Sequence, residues 1–112
     1  MSYKLVATWS APKAEDEAEF ERYYIEDHVP VAANLPYLKR LVLTKTDGKS
    51  EDGGEPPYYR VAELIFDSQE ELEKCSASTQ WTAMREDAGA LIDRFGVTLE
   101  MGLGEEQEVP VA

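Results

Sequence analysis

The 112-residue chain has a single cysteine and a single histidine. Cys75 has no partner for an internal disulfide, so no covalent staple holds the fold, and a reducing cytoplasm is the expected compartment. One His and one Cys fall short of the nitrogen and sulfur ligands of a zinc site, and the acids lack the spacing of a calcium loop; no metal is expected. Positive charge is scarce as well. Eleven Lys and Arg stand against twenty-three Asp and Glu, a net charge of -12, the opposite of what phosphate backbones attract, so nucleic acid is excluded as a partner. No apolar run approaches the roughly 20 residues that span a bilayer, and Met1-Ser2-Tyr3-Lys4 leads into a strand-like stretch rather than a secretory signal. A Gly-x-Gly-x-x-Gly and a Walker lysine motif are both missing, and Gly53-Gly54 sits among acids that repel phosphate, so no nucleotide cofactor is implied.

What the chain has is enough apolar residues, 43%, to bury one core in one domain. Tyr3 to Trp9 alternates with period two and reads as a strand. After Pro12 an acidic run suits a helix N-terminus, and Phe20, Tyr23, Tyr24 and Val31 recur at helical spacing from about Asp16 to Leu35. Pro30 predicts a kink or break near His28 and Val29, because the residue before proline avoids helical dihedrals. Tyr37 to Thr46 reads as a second strand and Tyr58 to Phe66 as the strongest one; between them, 47–57 holds no apolar residue and predicts a mobile surface loop joining antiparallel neighbours. Ser68 three residues before Glu71 has capping-box spacing, and a second helical region runs from Leu72 through Trp81, Met84, Ala88 and Ile92, with Ser76-Ala77-Ser78 as a kink or second cap. Phe95, Val97, Leu99 and Met101 alternate as a final strand. The domain is thus read as residues 1–103, followed by an acidic tail over 104–112.

The order strand, helix, strand, strand, helix, strand is the ferredoxin-like βαββαβ pattern of the α+β class, a four-stranded antiparallel sheet with both helices on one face. Within Tyr58 to Phe66 neither alternating set is mostly polar, so the face away from the helices needs cover. The simplest cover is the same sheet of a second copy, which predicts a homodimer.

Tyr24-Ile25-Glu26-Asp27-His28-Val29-Pro30 resembles the Tyr-x-x-x-His-x-Pro signature of the EthD family, small dimeric α+β barrel proteins. Lys4-Leu5-Val6-Ala7 with Trp9-Ser10-Ala11-Pro12, Phe20, Leu35-Pro36, and Tyr58 through Leu64 with Phe66-Asp67-Ser68 follow in the order that family shows, across roughly residues 3 to 101. The resemblance implies a dimeric barrel and a setting in bacterial breakdown of small organic compounds, with an oxidoreductase label drawn from that association. It leaves the reaction open, because such barrels host cofactor-free isomerases, cyclases, monooxygenases and proteins without a known reaction.

His28 is the one side chain whose ordinary pKa, about 6.5, lies near neutrality, and is the first candidate for acid or base work. Three readings stand: a proton carrier, a ligand contact, or a scaffold bonded to backbone freed by Pro30. Tyr24, four residues earlier, is placed to hydrogen-bond the ring or share a ligand. Candidate substrate contacts are Trp9, Tyr23, Arg40, Tyr59 and Glu63. Trp9 and Tyr59 read either as pocket walls or as core, and Arg40, Arg60 and Glu63 either as ion pairs with one another or as groups orienting a carbonyl. The functional expectations are a cofactor-free acid–base enzyme acting on a small apolar or aromatic compound, a non-catalytic accessory of an oxidative pathway, or a monooxygenase using an electron-rich substrate directly.

Overall fold

The computed structural model describes residues 2–112. The elements are β1 (Tyr3–Trp9), α1 (Glu17–Tyr23) after a 3-10 turn, α2 (Val29–Ala33), β2 (Arg40–Lys45), β3 (Arg60–Phe66), α3 (Gln69–Ser76), α4 (Thr79–Phe95) and β4 (Leu99–Glu105). The strands form one antiparallel sheet in the order β2-β3-β1-β4. This is the ferredoxin-like arrangement that the element order predicts.

Leu5, Ala7 and Trp9 of β1 and Ala62, Leu64 and Phe66 of β3 face the helices, and each is buried. They split into an aliphatic cluster, with Ala32, Leu72 and Met84, and an aromatic one in which Trp9 meets Phe20, Tyr24, Leu91 and Phe95. Phe20 stacks on Tyr24 and packs edge-on against Trp9, Tyr59 and Phe95. Each such side chain contributes about 1.5–3 kcal/mol through burial, so the aromatic cluster holds the first helical region on the sheet.

Local chemistry sets the element ends. Ser68 accepts from Glu71 N–H at 3.2 Å, and Ser78 accepts from Trp81 N–H at 3.1 Å, so the Ser76-Ala77-Ser78 segment is a second cap rather than a kink. Gly96 closes α4 at φ 67°, a left-handed value that suits glycine, and its N–H donates to the Ile92 carbonyl. Phe95 is therefore the last turn of α4 and not the start of the final strand, because its ring completes the helix's apolar face beside Leu91. β4 in turn runs through Glu105, and Glu106 N–H donates to the Ser2 carbonyl, so pairing extends past the expected start of the tail at residue 104. β2 begins at Arg40 instead of Tyr37, which sits in a turn at φ 68°. The 47–57 segment does join antiparallel neighbours. It carries its own turn, with Ser50 N–H donating to the Gly54 carbonyl and Gly53 N–H to the Ser50 carbonyl.

In place of the kink or break expected near His28 and Val29, a π turn runs over Tyr24–His28, in which Val29 N–H donates to the carbonyl of Tyr24, five residues back. Val29 keeps helical angles, φ -57° and ψ -43°. In a regular helix the Pro30 ring would crowd the carbonyl of Glu26; the widened turn directly before it relieves that crowding without ending the helix. One consequence reaches the site: Tyr24 and His28 are both buried, with their rings stacked at 5.8 Å.

Candidate functional site

Between the sheet and the helices lies a cavity of about 40 Å³. Four alanines account for its existence. Ala7 and Ala62 are directly paired in the centre of the sheet, and Ala32 and Ala88 come from α2 and α4; all four line the space. Larger side chains at these positions would close it. Leu41, Leu43, Leu64 and Leu99 add further apolar wall, while Met84 and Met101 supply flexible thioethers that can yield to a guest.

His28 brings the main polar chemistry into this apolar space. It is 7% exposed, lines the cavity, and packs edge-on against Trp9 at 5.5 Å. Its Nδ1 lies 2.5 Å from Asp87 Oδ2 on α4. With Nδ1–H donating to that carboxylate, Nε2 carries the free lone pair, and the ring orientation is fixed from a second helix. His28 is thus held by a side chain and not by main chain left free at Pro30, and its second nitrogen has no protein partner among the described residues. Tyr24 lines the same cavity. Burial pushes its phenol up to about 12, with Arg60 partly opposing and Glu21 adding to the rise, so it is a neutral O–H donor near neutrality.

Behind Tyr24 stands a polar brace. Arg60 sits over the Tyr24 ring at 5.0 Å and donates to Glu21 at 2.5 Å and 3.3 Å. Tyr59 O–H donates to Glu21 at 2.8 Å and to Glu17 at 3.2 Å. Burial alone would raise the Glu21 carboxyl, but the hydrogen bonds from Arg60 and Tyr59 and the guanidinium charge bring it below the usual carboxylate range. Burial, followed by the hydrogen bond to Glu21, pushes the Tyr59 phenol far up.

The structure brings His28, Tyr24 and Trp9 together in the cavity. It does not bring the other candidates there. Tyr23 packs on Phe95 and under Arg94 at the far side of the aromatic cluster, and Tyr59 serves the Glu21 brace. Arg40 and Glu63 lie on the sheet face away from the helices. The expected pairing of Arg40, Arg60 and Glu63 with one another is corrected: Arg60 and Glu63, three apart on one strand, point to opposite faces, so Arg60 pairs with Glu21 and Glu63 with Lys4 at 3.1 Å. Cys75 is buried in the aliphatic cluster, and burial raises its thiol. Asp87, Met84 and Arg85 complete the site without having been singled out as site residues. Asp87 had one signal, a carboxylate three residues after Met84 and four before Leu91, at the border of the apolar stripe of α4.

A family model described as the EthD domain matches residues 12–94. An uncharacterised 11.0 kDa Rhodococcus erythropolis protein from the thcB-thcC intergenic region is 33% identical over 78 residues, which cover 70% of this chain and 72% of that protein. Among solved structures, an ethyl tert-butyl ether d (EthD) family protein from Bacillus halodurans superposes with a TM-score of 0.77 at 27% identity, over 96% of this chain and 100% of that one. SnoaB, a cofactor-independent oxygenase from Streptomyces nogalater, shares the fold at a TM-score of 0.63 and 19% identity, over 96% of this chain and 95% of that one.

Proposed function

From the premise that this chain belongs to the EthD family, we propose that it is a homodimeric, cofactor-free acid–base catalyst acting on a small, slim, largely apolar organic molecule held in the alanine-lined cavity. The observation that carries this reading is the His28–Asp87 pair, which leaves one imidazole nitrogen available in an otherwise apolar space. Nε2 takes a proton from a carbon next to a carbonyl, and the C–H electron pair moves into the carbonyl to give an enolate. Tyr24 donates a hydrogen bond to the enolate oxygen. Asp87 steadies the imidazolium; where the enolate is conjugated with a C=C bond, the imidazolium returns the proton to the far carbon of that bond and the double bond shifts toward the carbonyl, an isomerisation, and where a second carbonyl lies in the same molecule, the enolate carbon attacks it and the imidazolium protonates the alkoxide, which closes a ring. The cavity, about 40 Å³ before any side chain moves, favours narrow substrates.

The dimer rests on the open sheet face. Val6, Val42 and Val61 are half-buried on it, around Ile65, which is already buried, and beside the Lys4–Glu63 pair. An apolar strip of this kind is best covered by its own copy, related by a two-fold axis.

The test of the chemistry is deuterium exchange at the α-carbons of cyclopentanone in D2O, followed by proton NMR. Wild-type protein is expected to accelerate exchange over buffer, and His28→Ala to lose that acceleration while keeping its fold by circular dichroism. Equal rates for the two proteins would remove His28 from the mechanism.

A further inference from the structure

The cavity holds one cation that no carboxylate among the described residues neutralises. Arg85 lines the cavity from α4 and is exposed, and its closest polar contact is Nη1 at 3.8 Å from the Met101 sulfur, a weak and uncharged acceptor. Of the eleven Lys and Arg, seven (Arg22, Arg60, Arg94, Lys4, Lys39, Lys45 and Lys74) stand within 4.0 Å of a carboxylate. Lys13, Arg40 and Lys49 are exposed cations without one among the described residues, but of the unpaired cations only Arg85 lines this cavity. Arg85 has none among the described residues, and the reasons are geometric. Its helical neighbours at three and four residues are Trp81, Thr82, Ala88 and Gly89, none of them acidic. Asp87 is turned to His28, and Glu100 lies on the opposite face of β4 from Leu99 and Met101.

We infer that Arg85 is a specificity-determining residue which receives an anionic group, a carboxylate, on a substrate whose apolar body lies in the cavity beside His28. This rests on the reading of the cavity as the substrate site. The planar guanidinium presents a fork of N–H donors that matches a carboxylate with two parallel hydrogen bonds, and its fork is not taken up by any protein carboxylate. The apolar walls give such a ligand no other charge partner except His28 once protonated. The acidic surface of the protein repels anions generally, so recognition of one at this position has to come from a local cation. The substrate class is therefore a small apolar acid, with the acid group at Arg85 and the reacting carbon deeper in the cavity.

The test uses hexanoate and its neutral isostere hexanamide, which share an unbranched apolar chain and differ in charge. Binding is followed through the single histidine resonance in proton–carbon NMR spectra, at low ionic strength, with wild type, Arg85→Gln and Arg85→Lys. Hexanoate is expected to bind wild type about tenfold more tightly than hexanamide. Arg85→Gln erases that preference while leaving the hexanamide affinity within about twofold, and Arg85→Lys keeps part of it, because a point charge replaces the fork. A preference that survives in Arg85→Gln, or no preference in wild type, overturns the role of Arg85 while the cavity still binds. If neither probe moves the His28 resonance in any protein, the cavity itself fails as the substrate site and both readings fall.

Discussion

Arg60 Nη2 donates to Glu21 Oε1 at 2.5 Å and so ties the start of β3, a central strand, to the first helix directly behind Tyr24. Both side chains are largely withdrawn from water, 10% and 23% exposed, so removing one partner strands the other. Arg60→Gln is expected to cost about 3 kcal/mol in urea unfolding, whereas the double replacement Arg60→Met with Glu21→Leu costs clearly less than the sum of the singles. Additive single costs would mean that the pair does not act as a unit.

The same carboxylate gives a pH signature. Glu21 is held below the ordinary glutamate value of about 4.3. Its contribution is therefore present above that value and fades as pH falls through the lowered one. The stability difference between wild type and Glu21→Gln should be constant from pH 6 to pH 5 and shrink in acid. Guanidinium unfolding at a series of pH values measures it; a difference that grows on acidification contradicts the assignment.

Tyr24 behaves in the opposite sense. Its folded value of about 12 lies above that of an exposed tyrosine, about 10, so the stabilisation it brings is complete below pH 10 and is lost as pH rises through about 12. Tyr24→Phe should consequently resist alkaline unfolding better than wild type, judged by the midpoint pH from tryptophan fluorescence. A lower midpoint for the variant would argue against a phenol kept neutral by burial.

Asp87→Asn leaves a side chain of the same shape without its charge. Nitrogen-15 spectra of the lone imidazole should show wild type with the proton on Nδ1, and the variant with a mixture of tautomers. In the cyclopentanone assay the loss from His28→Ala is expected to be about 100-fold or more where the acceleration is that large, and Asp87→Asn to lose a smaller part in the same direction. An unchanged tautomer together with an unchanged rate would show that Asp87 is a bystander.

Filling and charging test the two surfaces of the sheet. Ala62→Val adds two methyl groups beside the Ala7–Ala62 pair, so hexanoate binding should fall at least about tenfold while thermal stability changes by less than about 1.5 kcal/mol. On the other side, Val42→Asp should convert a dimer into a folded monomer in sedimentation velocity. A wild type that is already monomeric at micromolar concentration would remove the dimer from the proposal.

Much of this architecture was legible in the residues because it rests on local physics. Alternation in Tyr3 to Trp9 marked β1 and its buried face, and Ser68 with Glu71 marked the start of α3. Pro30 was read as the site of a kink or a break, and the disturbance takes the form of a π turn that carries the helix through, an i to i−5 pairing that leaves no simple pattern in sequence. Phe95 was misplaced for a related reason: an apolar residue at a helix end also fits an alternating strand, and only the left-handed Gly96 separates the two.

By itself, the sequence determined the order of elements, the faces they bury, the shortage of positive charge and the singular position of His28, because periodicity, capping and composition act over a few residues. Tertiary structure alone decided that Asp87, 59 residues away, is the partner of His28, that four alanines from four elements meet to leave a space, and that Arg85 faces it unpaired. Those are contacts between separate elements, and which side chains meet across a packed layer depends on how helix and sheet dock, which spacing along one strand or helix does not encode.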